Sequence, residues 1–198
     1  MQLSKLLRTK TKDIWEQRAE KVLSHFSFNY PDEIDIREIC RKFGVKIKPL
    51  DIDYFDDKDL CELIDLNTKA FSVPKTKGRQ GTIYIDPDLE AVEKKILLAE
   101  EFCHCYAHHI SQITDDRIII GKTEAQAKRM SAYLLMPARF LEDIYFIATE
   151  EPVMISDIAD YFTVTDEFAH YRLQLIYKHR VDGFSNVKGN VGSIEWLE

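Results

Sequence analysis

The sequence predicts an α+β fold, mostly helical, with a small antiparallel or mixed β-sheet and a group of C-terminal helices. Three observations predict it. Residues 88–109 contain no Gly or Pro and set Leu89, Val92, Ile96, Leu97, Phe102 and Tyr106 at helical spacing, which reads as one helix. Two short segments, 45–50 and 81–86, read as strands, and the first alternates apolar and charged residues so that one face is wet. From Thr123 to Arg180 helical spacing returns, interrupted at Pro137 and at short polar turns.

Residues 11–26 form an amphipathic helix with Ile14, Ala19, Val22, Leu23 and Phe26 on one stripe, closed by Pro31, which pushes Tyr30 to extended geometry. A short helix follows over 35–44. Asp35 is its N-cap, Glu38 completes a capping box and Gly44 stops it. Pro49 places the end of the 45–50 strand near a sheet edge. Residues 51–60 are acidic but lack the Gly and the closing Glu of a calcium loop, so they read as a solvated loop. Segments 62–66 and 70–73 read as two short strands. Lys69, Lys75, Lys77 and Arg79 surround Pro74 and Gly78 in a basic hairpin tip before the 81–86 strand. A free edge on that last strand would let an extended peptide pair with it.

Residues 111–122 read as an irregular link in which Ile118, Ile119 and Ile120 pack as a short extended piece. Thr123 caps a helix over 124–135, and Met136-Pro137 ends it. Helix or turns continue through Phe140, Leu141, Ile144 and Ile147. A capped helix over 156–162 and a last helix over 166–180 have a helix-turn-helix outline. The second of these opens on Asp166, Glu167 and Phe168, where base contacts would need basic residues, so the pair reads as structural. The tail, 181–198, is rich in Gly, Asn and Ser and reads as irregular, with Trp196 docking back on the body. The division expected is one domain over 1–180 and a C-terminal tail over 181–198.

The 198 residues are 45% hydrophobic and 31% charged, enough for a sizeable core. A net charge of −7 argues against a broad nucleic-acid-binding face. The start of the chain has no apolar signal region, and no apolar run approaches the roughly 18 residues of a membrane span. Cys40, Cys61, Cys103 and Cys105 form no CxxC, and 103 and 105 point to different faces of one helix, so reduced thiols and a cytoplasmic protein are expected. The sequence holds no Gly-rich phosphate loop and no Ser/His/Asp elbow.

Chemistry concentrates at Glu100-Glu101-Phe102-Cys103-His104. On a helix, Glu100, His104 and His108 share a stripe, and Glu101 is offset from it by one position. The five residues look like an HExxH site, in which two ligands one turn apart hold a metal and the intervening Glu is general base, with Glu in place of the first His. By itself such a pair also fits a solvated helix face. After His104 comes Thr123-Glu124-Ala125-Gln126-Ala127-Lys128-Arg129-Met130-Ser131-Ala132-Tyr133-Leu134-Leu135-Met136-Pro137, which resembles the E-x-x-A-x-x-(F/W)-A-x-x-L-(L/I)-x-P signature of the ImmA/IrrE metallo-endopeptidases. Met130 and Ser131 depart from it. The 81–86 strand and a closing segment from Ile155 to Arg172-Leu173 fit the same family, and the resemblance covers roughly residues 15–180.

The resemblance implies a zincin-like fold, with Glu124 as third metal ligand beside Glu100 and His104, and Glu101 as the catalytic base. An alternative ligand set uses His108 with His104 and Glu124. Zinc is the simplest metal. A carboxylate in place of a neutral imidazole lowers the charge of the site by about one unit and hardens the ligand set, which favours Mn²⁺ or Fe²⁺ relative to zinc. Members of the family often cut a repressor of a phage or mobile element. The expected function is therefore a cytoplasmic endopeptidase acting on a helix-turn-helix repressor, without membrane or direct nucleic-acid binding. The alternative is a non-catalytic relative that binds a regulator through the same groove.

Overall fold

The computed structural model describes residues 13–51, 68–75, 80–107 and 117–196, with backbone alone at 117–120. In chain order the described elements are α1 (Ile14–Leu23), a 3₁₀ turn (Pro31–Glu33), α2 (Ile36–Phe43), β1 (Val45–Pro49), β2 (Ala70–Pro74), β3 (Gly81–Ile85), α3 (Ala91–Ala107), α4 (Arg117–Leu135), α5 (Ala138–Glu150), β4 (Val153–Met154), α6 (Ile155–Phe162), α7 (Asp166–Tyr177), β5 (Gly183–Val187) and β6 (Asn190–Ile194). The fold is mixed α+β and mostly helical, as the sequence predicts. Most of the acidic 51–60 loop, the 62–66 strand and the tip of the basic turn at 76–79 lie outside the described residues. The chain divides into two compact units, Asp35–Ser131 and Met1–Ile34 with Ala132–Glu198, and α4 contributes to both.

In the Asp35–Ser131 unit, α2 is built as its sequence dictates. Asp35 accepts the Arg37 N–H at 2.8 Å, and Gly44 closes the helix in the left-handed region at φ 71°, where a Cβ would be strained. Glu38 does not complete the expected box. Its Oε1 turns to Arg41 at 3.3 Å. The sheet has the order β1-β3-β2, with β1 parallel and β2 antiparallel to β3. The expectation of a free edge on the 81–86 strand is overturned, because β3 is central and paired on both sides. The reason lies in its side chains. Gly81, Ile83 and Ile85 are buried on one face, and Tyr84 stacks on Phe71 of β2 on the other, with ring centroids 5.0 Å apart. β1, with Lys46 and Lys48 exposed, is the edge strand that Pro49 announced.

The motif helix starts at Ala91 and not at Asp88. Asp86 Oδ1 accepts the Asp88 N–H at 2.8 Å and spends that stretch in a turn. From Leu98 to Tyr106 every α3 residue except Glu100 is buried. The helix packs on β2, β3 and α2, and Phe43 meets both Phe102 and Tyr106 edge-on, at 5.7 and 5.5 Å. The second motif helix begins at Arg117, so Thr123 is not its cap and the three isoleucines at 118–120 are helical in backbone, not extended. Gly121 costs a helix only about 1 kcal/mol relative to Ala, too little to stop it.

In the other unit, Asp13 caps α1 through the Trp15 and Glu16 N–H groups and accepts the Tyr133 hydroxyl at 2.7 Å. Arg172, wholly buried, donates from Nε to the Met136 carbonyl at 2.8 Å and lies 4.7 Å from the Tyr133 ring centroid, so it secures the end of α4. The 156–180 pair forms as α6 and α7. Asp157, not Ser156, holds the start of α6, by accepting the Met154 N–H at 2.8 Å, and Thr165 caps α7, which ends at Tyr177. The tail is not irregular as expected. β5 and β6 make a hairpin over 183–194 that pairs with β4. Its turn is Lys188-Gly189, both at positive φ, the geometry that suits a two-residue hairpin. Phe184 and Val191 are buried, while Trp196 is exposed and its backbone N–H is accepted by Asp182 at 2.9 Å.

Two predictions follow from these contacts. A Cβ at Gly81 would stand 2.5 Å from Cys105 Sγ and 2.8 Å from the Val73 carbonyl oxygen. Gly81→Ala should lower stability by about 1–3 kcal/mol in denaturant unfolding. Adding Cys105→Ala should recover only part of it, since the Val73 carbonyl remains. The second concerns Asp182, almost wholly buried, which takes the Arg180 Nε at 2.9 Å and the Trp196 N–H. Arg180 and that N–H hold its carboxyl below the usual range. A depressed carboxyl stabilises above its unfolded pKa of about 3.9 and ceases to as pH falls through its folded value. Asp182→Asn should therefore lower Tm at pH 7, with the gap from the parent narrowing below about pH 4.

Candidate active site

Two neighbouring stripes of α3 carry the chemistry. Glu101 and Cys105, four apart, lie on one; Glu100 and His104, also four apart, lie on the next. Glu101 is 6% exposed and His104 5%, so this is not a solvated helix face. Burying ionisable groups is costly unless they are paired. His104 finds its partner on the second motif helix: its Nε2 is 3.3 Å from Glu124 Oε2, and Glu124 is about half exposed. Glu101 has a buried oxygen, Oε2, with no hydrogen-bond partner among the described residues, and the Ser72 hydroxyl of β2 favours the ionised form of its carboxyl.

The electrostatics follow from this crowding. Burial pushes Glu100 up to about 7; Lys128 draws it back, and Glu101 and Glu124 add to the rise. Burial also raises Glu101, against the pull of His104 and the Ser72 hydroxyl. For His104 burial acts downward, but the hydrogen bond to Glu124 and the charges of Glu101, Glu124 and Glu100 outweigh it, and the imidazole is raised. Three carboxyls thus surround one imidazole in a poorly solvated place.

The structure brings Glu100, Glu101, His104 and Glu124 into one electrostatic neighbourhood, with His104 and Glu124 in direct contact. His108, the alternative ligand, and His109 lie outside the described residues. His170 serves elsewhere: its Nε2 is 3.6 Å from Asp182 Oδ1, in the other unit. Cys40, Cys103 and Cys105 are free and buried, and burial pushes Cys40 and Cys105 up to about 12, which disfavours the thiolate that a nucleophile needs. Ser72 escaped the sequence reading. Its only signal there was a hydroxyl within the apolar run Ala70-Phe71-Ser72-Val73.

The family model described as the IrrE N-terminal-like domain, of the M78 peptidases, matches residues 40–174. The chain belongs to this family. A search of the curated proteins finds no match to it. Membership of the M78 family makes this a metallopeptidase domain, which implies a metal ion and a protein substrate. The match ends close to Arg172-Leu173, and it begins later than residue 15, where the sequence resemblance starts. No helix among the described residues is long and apolar enough to cross a membrane.

The implied metal can be tested against the side chains present. Among the described residues no group of three or more His, Cys, Asp or Glu is gathered for a metal ion. A nitrogen and a carboxylate oxygen do converge from two helices, in His104 and Glu124, and such N/O donors suit zinc and its neighbours. Beside them stands the buried Glu101 Oε2, which has no hydrogen-bond partner among the described residues. His104 and Glu124 thus offer two donors of a kind that suits a divalent ion.

Proposed function

We propose that this M78 domain is a divalent-metal-dependent endopeptidase whose ion, most simply zinc, is held by His104, Glu124 and Glu100, with Glu101 as general base. The observation that carries the reading is the buried His104, 3.3 Å from Glu124, beside a second acid with an oxygen unpartnered among the described residues. Glu100 is the third donor of choice, because its half-buried carboxyl already senses both His104 and Glu124. His108 is the substitute should Glu100 prove dispensable. A bound zinc would supply Lewis acidity and make the attacking water a much stronger acid. Glu101 accepts the proton that the attacking water gives up and passes it to the leaving amine, and its burial raises its affinity for that proton, as a base working near neutral pH requires.

By the family resemblance, the substrate is a helix-turn-helix repressor of a phage or mobile element. The three buried free thiols suit a reducing, cytoplasmic setting. The second reading is a non-catalytic relative that keeps the shape, binds a regulator and cuts nothing.

Elemental analysis of the purified chain should give about one zinc, manganese or iron per chain, lost in Glu124→Ala and in Glu100→Ala. Loss with Glu124→Ala alone would move the third donor to His108. No metal in the parent after reconstitution would turn the reading to the binding module. With metal content intact, Glu101→Gln should slow cleavage roughly 10²- to 10⁴-fold. Survival of a co-expressed repressor beside Glu101→Gln, and its loss beside the parent, checks this. Equal repressor loss in both would exclude proteolysis through Glu101.

A further inference from the structure

The face of the sheet that meets α3 is fixed by strand register. Val45, Ile47 and Pro49 stand opposite Gly81, Ile83 and Ile85, and Ser72 stands opposite Ile83, so all share one face. That face abuts the Glu101/Cys105 stripe of the helix, because a Cβ on Gly81 would run into Cys105 Sγ. Among the described residues Ser72 is the one hydroxyl on this otherwise apolar face, and it is buried. A buried hydroxyl in such a place is unfavourable unless it bonds. The polar groups that face it are those of the adjoining stripe, the Glu101 carboxylate and the Cys105 thiol, and both feel its hydroxyl. Serine has one proton to give and two lone pairs to receive with. Ser72 can therefore give its O–H to the Glu101 carboxylate and accept the Cys105 S–H at Oγ.

We infer that Ser72 is a positioning residue for the base, tethering the Glu101 carboxylate from the sheet side with Cys105 behind it. The inference rests on the peptidase reading above. A carboxylate held at one oxygen keeps its orientation, and the other, Oε2, is left without a partner among the described residues and open to a proton. A general base works only within hydrogen-bond reach of its proton, so the tether governs turnover and not substrate affinity.

The test uses the full chain loaded with zinc and, as probe, the fastest-cleaved member of an internally quenched random peptide library. Parent, Ser72→Ala, Ser72→Thr and Glu101→Gln are compared. The infrared S–H stretch of Cys105, assigned with Cys105→Ala, is recorded on metal-free samples of the parent and both Ser72 variants. Ser72→Ala should lower kcat roughly 10- to 100-fold with KM within about twofold, and should move the S–H band to higher frequency. Ser72→Thr, which keeps the hydroxyl, should return both toward the parent. An unmoved band overturns the tether, and a moved band with unchanged kcat overturns the positioning role. A parent no faster than Glu101→Gln defeats the peptidase reading and the positioning role with it. A parent far faster than Glu101→Gln, beside a fully active Ser72→Ala, defeats the inference alone.

Discussion

The buried contact between His104 and Glu124 is the constraint around which the site is arranged. It joins an imidazole on α3 to a carboxylate on α4, two helices separated in sequence by a stretch of about ten residues beyond Ala107. A His buried among three carboxyls would be expensive if any one of them stood alone. Here each has a visible compensation. His104 has Glu124, Glu101 has Ser72, and Glu100 keeps partial access to water and the pull of Lys128. The rest of the Asp35–Ser131 unit serves this arrangement. α2 and the three-stranded sheet enclose the C-terminal half of α3, so that its acids and its His point into packed surroundings and not into solvent.

Residue sorting around α3 explains how one helix serves both a core and a site. Leu98, Ala99, Phe102, Cys103 and Tyr106 fill the interior, and the aromatic pair Phe102 and Tyr106 is locked by Phe43. Cys105 lies over Gly81, where no larger residue than glycine leaves room for the thiol. The cysteines of this helix are therefore small packing groups with protonated thiols, and the polar positions between them are free for chemistry.

How much of this was legible beforehand depends on the range of the interactions involved. The α3 helix, the Asp35 and Gly44 caps and the wet face of β1 were readable because each is set by residues a few positions apart. The pairing of His104 with Glu124 came through a motif resemblance, since neither residue alone carries the signal. What failed was tertiary or marginal. β3 is central only because β1 crosses over to lie parallel beside it, and no local pattern records a crossover. The 183–194 hairpin turns on Lys188-Gly189, a weaker sign than Asn-Gly, inside a stretch whose Gly, Asn and Ser content suggested a loop. Gly121 and Thr123 suggested a helix boundary where a cost of about 1 kcal/mol was too small to impose one. Ser72 was invisible because its meaning depends on which helix face the sheet meets.

The charge balance of the site gives a physical reason to look for a cation there. Glu100 is pushed to about 7 and Glu101 is raised as well, with burial the main cause and neighbouring carboxyls a further one. Both shifts say that the buried surroundings disfavour the ionised carboxylates, a cost that a proton or another cation relieves. Lys128, exposed on α4, relieves it in part. A divalent ion at the proposed donors would relieve it more fully. It would favour the ionised form of every carboxyl around it, so its binding would release protons and strengthen as pH rises through the range in which Glu100 titrates. Glu in place of the first His of the motif adds to this cost. An HExxH site presents two neutral imidazoles; this one presents a carboxylate and an imidazole, with two further acids beside them. On the proposed reading, that trade gives up some acidity of the activated water in return for a stronger hold on a harder ion.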